Sequence, residues 1–186
     1  MNIIIDDRDD KDIKDRVYLL PWYSDAVCFN FHSPDRLIYP ERINDIKRPS
    51  YVKTLVIACD LDDYTFISKM KNLSQLYIYS GVNIKELSFL ENLLKLQHLC
   101  VLNSHISTLD SLKKLIEKKS ELYKNTPKEE KFKCRLTYGF EGICIVTDMY
   151  DSDATELVDD DMCRDEIRVN SHLISLDTIL ENGEEF

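Results

Sequence analysis

Three residue types that zinc favours fall within eight positions of one stretch: His98, Cys100 and His105 in LKLQHLCVLNSHISTLDSL, residues 94–112. On an extended strand His98 and Cys100 point to the same face, about 7 Å apart. A tetrahedral zinc site asks for four ligands at spacings such as C-x2-4-C and H-x3-5-H. His105 lies beyond the strand, in a turn. The residues that fall beside His98 and Cys100 when similar segments are aligned are Gln75 and Tyr77, which are poor zinc ligands. The pair is therefore expected to be outward-facing strand residues, with no metal and no cofactor.

Other constellations fail on their own requirements. Read as a calcium loop starting at Asp151, DSDAT needs Gly at position six and Glu at position twelve; the chain has Glu156 and Met162 there. DxDxT also resembles the nucleophile motif of haloacid-dehalogenase-type phosphotransferases. That family places it after an apolar strand near the start of the domain. Here TDMY precedes it and only 31 residues follow Thr155. Ser111 and Lys114 fit S-x-x-K, but the serine sits at a helix start and no partner motif follows. Four glycines in the whole chain leave no phosphate-cradling loop. A non-enzyme is expected.

The elements that position these residues belong to a chain of 186 residues, enough for a single domain. No apolar run approaches the ~20 residues that span a bilayer. The start, MNIIIDDRDDKDIKDR, turns acidic too soon for a signal peptide, so the cytoplasm is the expected compartment. Six cysteines without a CxxC pair are expected to be reduced and mostly packed. Charge is uneven: residues 1–145 carry 22 Lys+Arg against 21 Asp+Glu, while 146–186 carry 2 against 13. A neutral body with an acidic end argues against nucleic-acid binding, which needs a basic face, and suits either a solvated surface or a basic partner.

VKTLVIACD (52–60), LSQLYIYSG (73–81) and LQHLCVLNS (96–104) align with apolar residues in three columns. These are Val52, Leu73, Leu96; Leu55, Leu76, Leu99; and Ile57, Ile78, Val101. A fainter copy, AVCFNFHSP (26–34), precedes them. Alternation within each copy marks a strand with one buried face, and units of this size must stack to bury it. Ile84, Leu87 and Leu90, then Ile106, Leu109 and Leu112, continue the second and third copies. The pattern resembles the leucine-rich repeat family, in its short bacterial internalin-like class, over about residues 26–120. The resemblance implies an α/β fold: a short solenoid of three to four repeats with a parallel concave sheet. Where the family places an inter-turn Asn, this chain has Asp60, Gly81 and Ser104.

Residues 1–25 are expected to be an N-terminal cap. DSLKKLIEKKSELYKN (110–125) has helical spacing, with Asp110 or Ser111 as N-cap. KFKCRLTYGF and GICIVTD, flanking Glu141-Gly142, read as a hairpin, so that 121–147 forms a C-terminal cap. In the acidic segment 148–186, EIRVN reads as an edge strand, Leu173, Leu176 and Leu180 as a short helix, and 148–161 as a loop.

The outward positions form three lateral rows: Cys28, Thr54, Gln75, His98; Asn30, Val56, Tyr77, Cys100; and His32, Ala58, Tyr79, Leu102. No charged residue occurs among them, and interface centres are poor in charge and rich in tyrosine. The expected function is a non-catalytic module that binds a protein on this face. Tyr77 and Tyr79 are its anchors, and Asn30, His32, Val56, Gln75, His98, Cys100 and Leu102 surround them. The face could instead be covered by a cap, the acidic tail or a second copy. The alternative function is an inhibitor or immunity-type protein whose acidic segment neutralises a basic enzyme or toxin.

Overall fold

The computed structural model describes residues 1–7, 36–140, 142–147, 166–169 and 172–175. Among them the backbone forms one eight-stranded sheet: β1 (Asn2–Ile5), β2 (Arg36–Ile38), β3 (Thr54–Ile57), β4 (Gln75–Ile78), β5 (His98–Ser104), β6 (Gly142–Thr147), β7 (Glu166–Val169) and β8 (His172–Ser175). The spatial order is β2-β1-β3-β4-β5-β6-β7-β8. Every neighbouring pair is parallel except β7 and β8, which are antiparallel. With two α-helices, α1 (Asp110–Asn125) and α2 (Lys131–Tyr138), this is an α/β arrangement.

Two of the three apolar columns in the sequence lie in lateral register along the strands. Ile3, Leu55, Leu76, Leu99 and Ile143 are paired strand to strand, as are Ile5, Ile57, Ile78, Val101 and Ile145. All ten are essentially solvent-free and lie in one core cluster. Between strands the chain returns through short 3-10 turns, Thr65–Lys69 after β3 and Ser88–Leu90 after β4. Their inward residues Tyr64, Ile67, Met70 and Leu73 recur as Leu87, Leu90, Leu93 and Leu96 and close the core from behind. After β5 the return segment becomes α1, which packs beside the Ser88–Leu90 turn and puts Leu112, Leu115 and Ile116 into the same core.

Each strand with its return segment makes one coil of the chain, and successive coils are tied along their edges. Gln75 and Ser74 donate backbone N–H groups to Lys53 O at 3.0 and 2.8 Å, and His98 and Gln97 do the same to Ser74 O. The Nδ2 atoms of Asn72, Asn83 and Asn103 donate to Ser50 O, Leu61 O and Tyr79 O at 2.8, 3.0 and 3.3 Å. Asparagines outside the expected column thus bridge coils. Asn103 has a φ of 49°, where the chain shifts register against β6, and asparagine accepts that left-handed geometry more readily than most residues. At Gly81 an added Cβ would lie 3.2 Å from Leu102 O, so a side chain there crowds the next coil.

Several expectations are corrected. β1, from the three-isoleucine run, is a strand of the sheet that pairs with β3; the rest of the expected cap, 8–25, and the expected first repeat strand, 26–34, lie outside the described residues. KFKCRLTYGF is helix α2, and β6 pairs in parallel with β5, so there is no hairpin at this point. A hairpin needs adjacent antiparallel strands, whereas β6 continues the parallel ladder that the columns ending in Ile143 and Ile145 demand. Helix α1 matches the sequence reading, but its first turn is served by Thr108 Oγ1, which accepts from Asp110 N–H at 3.2 Å. EIRVN supplies β7, but β7 lies between β6 and β8 and is not an edge, and Leu173 lies in the edge strand β8 and not in a helix. The 148–161 loop is outside the described residues. Among those described, no helix is long and apolar enough to cross a membrane.

Candidate functional site

On the sheet face opposite the core, the rows run Asn2, Thr54, Gln75, His98 and then Ile4, Val56, Tyr77, Cys100. Asn2 and Ile4 take the places expected for Cys28 and Asn30. Those two residues and His32 lie outside the described residues. Gln75 and His98 are side by side, as are Tyr77 and Cys100, so the sequence placed these neighbours correctly. Their exposure is another matter. Ile4, Val56 and Tyr77 are fully buried, Cys100 is 1% exposed, and Thr54 and His98 are buried as well. Ala58, Gln75, Tyr79 and Leu102 are half-buried. The centre of this face is covered, so Val56, Tyr77 and Cys100 are packing residues here and not an open contact surface. Burial is what their apolar bodies favour, since fully removing such a side chain from water is worth about 1.5–3 kcal/mol.

The chemistry-bearing residues fit the same picture. His98 and Cys100 share a face of β5, while His105 is exposed beyond it. Among the described residues no group of three His, Cys, Asp or Glu side chains could hold a metal ion. Cys59, Cys100 and Cys134 are buried. Burial, reinforced by Asp7 and Asp6, pushes the Cys59 thiol up to about 12. It donates to Ile5 O at 3.9 Å and is a protonated packing group, since the reactive form of cysteine is the thiolate.

An open surface lies instead at the N-terminal edge of the strands. A groove of about 590 Å³ runs across three coils there. The first coil contributes Ser50, Tyr51 and Lys53, the second Asn72 and Ser74, and the third Lys95 and Gln97; Leu136 and Thr137 of α2 close the far end. Its polar groups are held by a ladder. Lys95 Nζ donates to Asn72 Oδ1 at 2.7 Å, Ser74 Oγ donates to Lys53 O at 3.0 Å, and Gln97 Nε2 donates to Leu136 O at 2.8 Å. The last bond ties α2 to the coil stack. The two ends of the groove are apolar and exposed: Tyr51 is 64% and Leu136 58% accessible. Phe132, one helical turn before Leu136, is 74% accessible and falls on the same side of α2. The Arg48 guanidinium stands 5.7 Å from the centre of the Tyr51 ring and stiffens it.

Lys53, Ser74 and Gln97 are the second residues of the three aligned copies, so this row was present in the sequence columns. It carries no alternation of its own, because each of its residues stands just before a strand and not within one. Leu136 and Phe132 do not emerge from the sequence, because the alternation in KFKCRLTYGF reads as a strand. The acidic segment offered as an alternative site lies outside the described residues apart from β7 and β8. No family model, curated protein or solved structure matches this chain.

Proposed function

We propose that this chain is a non-catalytic protein-interaction module built as a leucine-rich-repeat solenoid, and that it binds a protein partner along the groove at the N-terminal edge of its sheet. The solenoid reading is supported by coils of 21 to 23 residues, read from the aligned copies, whose columns fall in lateral register. Each coil returns through a short turn, and each buries its apolar face only against its neighbours. The observation that carries the binding reading is the pair of large apolar side chains, Tyr51 and Leu136, held in the open at the two ends of a polar, hydrogen-bonded groove. Exposed aromatic and apolar anchors around a preorganised surface are where binding energy concentrates.

A peptide-display selection against the purified protein tests this. Ligands selected by the wild type are expected to lose binding, by a hot-spot-sized ~2 kcal/mol or more, in Tyr51→Ala and Leu136→Ser, and to keep it in Tyr79→Ala on the opposite sheet face. Selected ligands that tolerate both groove substitutions would remove the groove from consideration, and loss confined to Tyr79→Ala would return binding to the strand face.

A further inference from the structure

Among the described residues, the charges lining the groove are of one sign: Lys53 and Lys95 are the ionised ones, and no lining residue among them is Asp or Glu. Lys53 is exposed, and Lys95 leans one coil back toward Asn72, which draws its ammonium inward along the groove. The basic bias continues past both ends, with Arg48 on the Tyr51 ring and Lys133 and Arg135 exposed on α2 beside Leu136. A body of almost balanced charge has therefore gathered cations around one cavity whose rims are apolar.

We infer that the groove takes an extended acidic peptide: a segment with Asp or Glu carboxylates over Lys53 and Lys95 and an apolar side chain against Leu136 or Tyr51. This rests on the reading of the groove as a protein-binding surface and names the partner's chemistry. An extended strand advances about 3.3 Å per residue, and three coils span about 10 Å. Three or four peptide residues thus cross the groove, which sets two carboxylates about three positions apart, preceded or followed by one apolar residue, as the matching pattern. Carboxylate–ammonium contacts at such a half-open site add steering and orientation, while the apolar rim supplies the anchor.

The test uses fluorescence anisotropy with the full chain and three labelled twelve-residue probes. One repeats Glu-Leu-Ser-Glu, the second has every Glu replaced by Gln, and the third has every Leu replaced by Ser. The first is expected to bind at least tenfold more tightly than either of the others. Its affinity falls tenfold or more in Lys53→Glu/Lys95→Glu and weakens as salt rises. Leu136→Ser weakens the first two probes and leaves the third unchanged. Circular dichroism melts of each variant show that the fold is kept; if charge reversal lowers the melting temperature, Lys53→Gln/Lys95→Gln takes its place, with the same direction expected. Equal binding of the Glu and Gln probes, or affinity indifferent to both lysine variants, overturns the inference. So does a single-stranded oligonucleotide that binds with lysine dependence while the peptide does not. If none of the probes binds but displayed ligands still require Tyr51 and Leu136, acidic recognition fails and the groove reading survives. If no displayed ligand requires them, both fall.

Discussion

Lys119 shows how far a single residue can depart from what its type suggests. The lysines late in α1 fit the usual preference of cations for a helix C-terminus, yet Lys119 continues the stripe Leu112, Leu115, Ile116 by helical spacing and is 1% exposed. Its Nζ donates to Leu96 O and, at 2.7 Å, to Tyr138 O, and it lies 3.8 Å from the centre of the Phe140 ring. Burial holds its ammonium well below the ordinary lysine range. Cys59 is displaced the other way, up to about 12 from 9.0, by burial and its aspartate neighbours. The consequences for stability have opposite signs. Below the unfolded lysine value of 10.5 the unfolded chain holds a proton at Lys119 that the folded chain gives up more easily, so this residue makes stability rise with pH. Between about 9 and 12 the unfolded chain has lost the Cys59 proton that the folded chain keeps, so this one makes stability fall. Urea unfolding across pH 7–12 is expected to show a shallower rise in Lys119→Met and a shallower fall above pH 9 in Cys59→Ala, each relative to wild type. Unaltered slopes would mean that neither group changes its proton affinity on folding.

At the level of elements, α2 is the piece on which the groove depends, and Gly139 is what lets it end there. The Gly139 N–H closes the helix by donating to Arg135 O at 2.8 Å. A Cβ at this position would stand 2.6 Å from that same oxygen, inside any permitted contact. The requirement comes from close approach and not from an unusual dihedral, since Gly139 has a φ of −63°. Gly139→Ala is expected to cost about 1–3 kcal/mol, the range for forcing atoms into a filled site. It should displace Leu136 from the groove, which thermal melts and the binding assay report together. A variant as stable as wild type would show that α2 can shift freely. This element also marks the limit of what the sequence could disclose. KFKCRLTYGF has apolar residues at alternating places, Phe132, Cys134, Leu136, Tyr138 and Phe140, and reads as a strand; eight residues are too few for the helical period to stand out against that alternation. The columns of Leu55, Leu76, Leu99 and of Ile57, Ile78, Val101 were legible because three copies repeat them, and helix α1 because sixteen residues show the period clearly. β1 is not legible in the sequence because a three-isoleucine run has no internal partner to align with. Burial on the far sheet face was not legible at all: alternation reveals two faces but not whether the second is covered.

For the molecule as a whole, the successive strand–return units share one core, and that makes the middle unit the place where a defect is felt furthest. Leu76 pairs with Leu55 on one side and Leu99 on the other, and all three are fully buried. Ile38, on the edge strand β2, has a described strand neighbour on one side only, Ile5 of β1. In a stack whose units rely on their neighbours, losing an interface on both sides costs more than losing one. Leu76→Ala is therefore expected to destabilise by about 2–5 kcal/mol, the range for buried leucine truncations, and Ile38→Val by about 0.5–1.5 kcal/mol, a smaller loss of volume at an outer position. Because Leu76 lies in the core cluster shared by β1, β3–β6 and the Ser88–Leu90 turn, its loss should move one cooperative urea transition to lower concentration with little change in slope. Far-UV circular dichroism and hydrogen exchange of the β3, β4 and β5 amides should report that same transition. A biphasic curve in Leu76→Ala, with β5 and α1 outlasting β1 and β3, would show that the coils on the two sides of β4 fold independently. The groove, which draws its lining from three coils and α2, would then have to be assembled by the partner instead of presented ready-made.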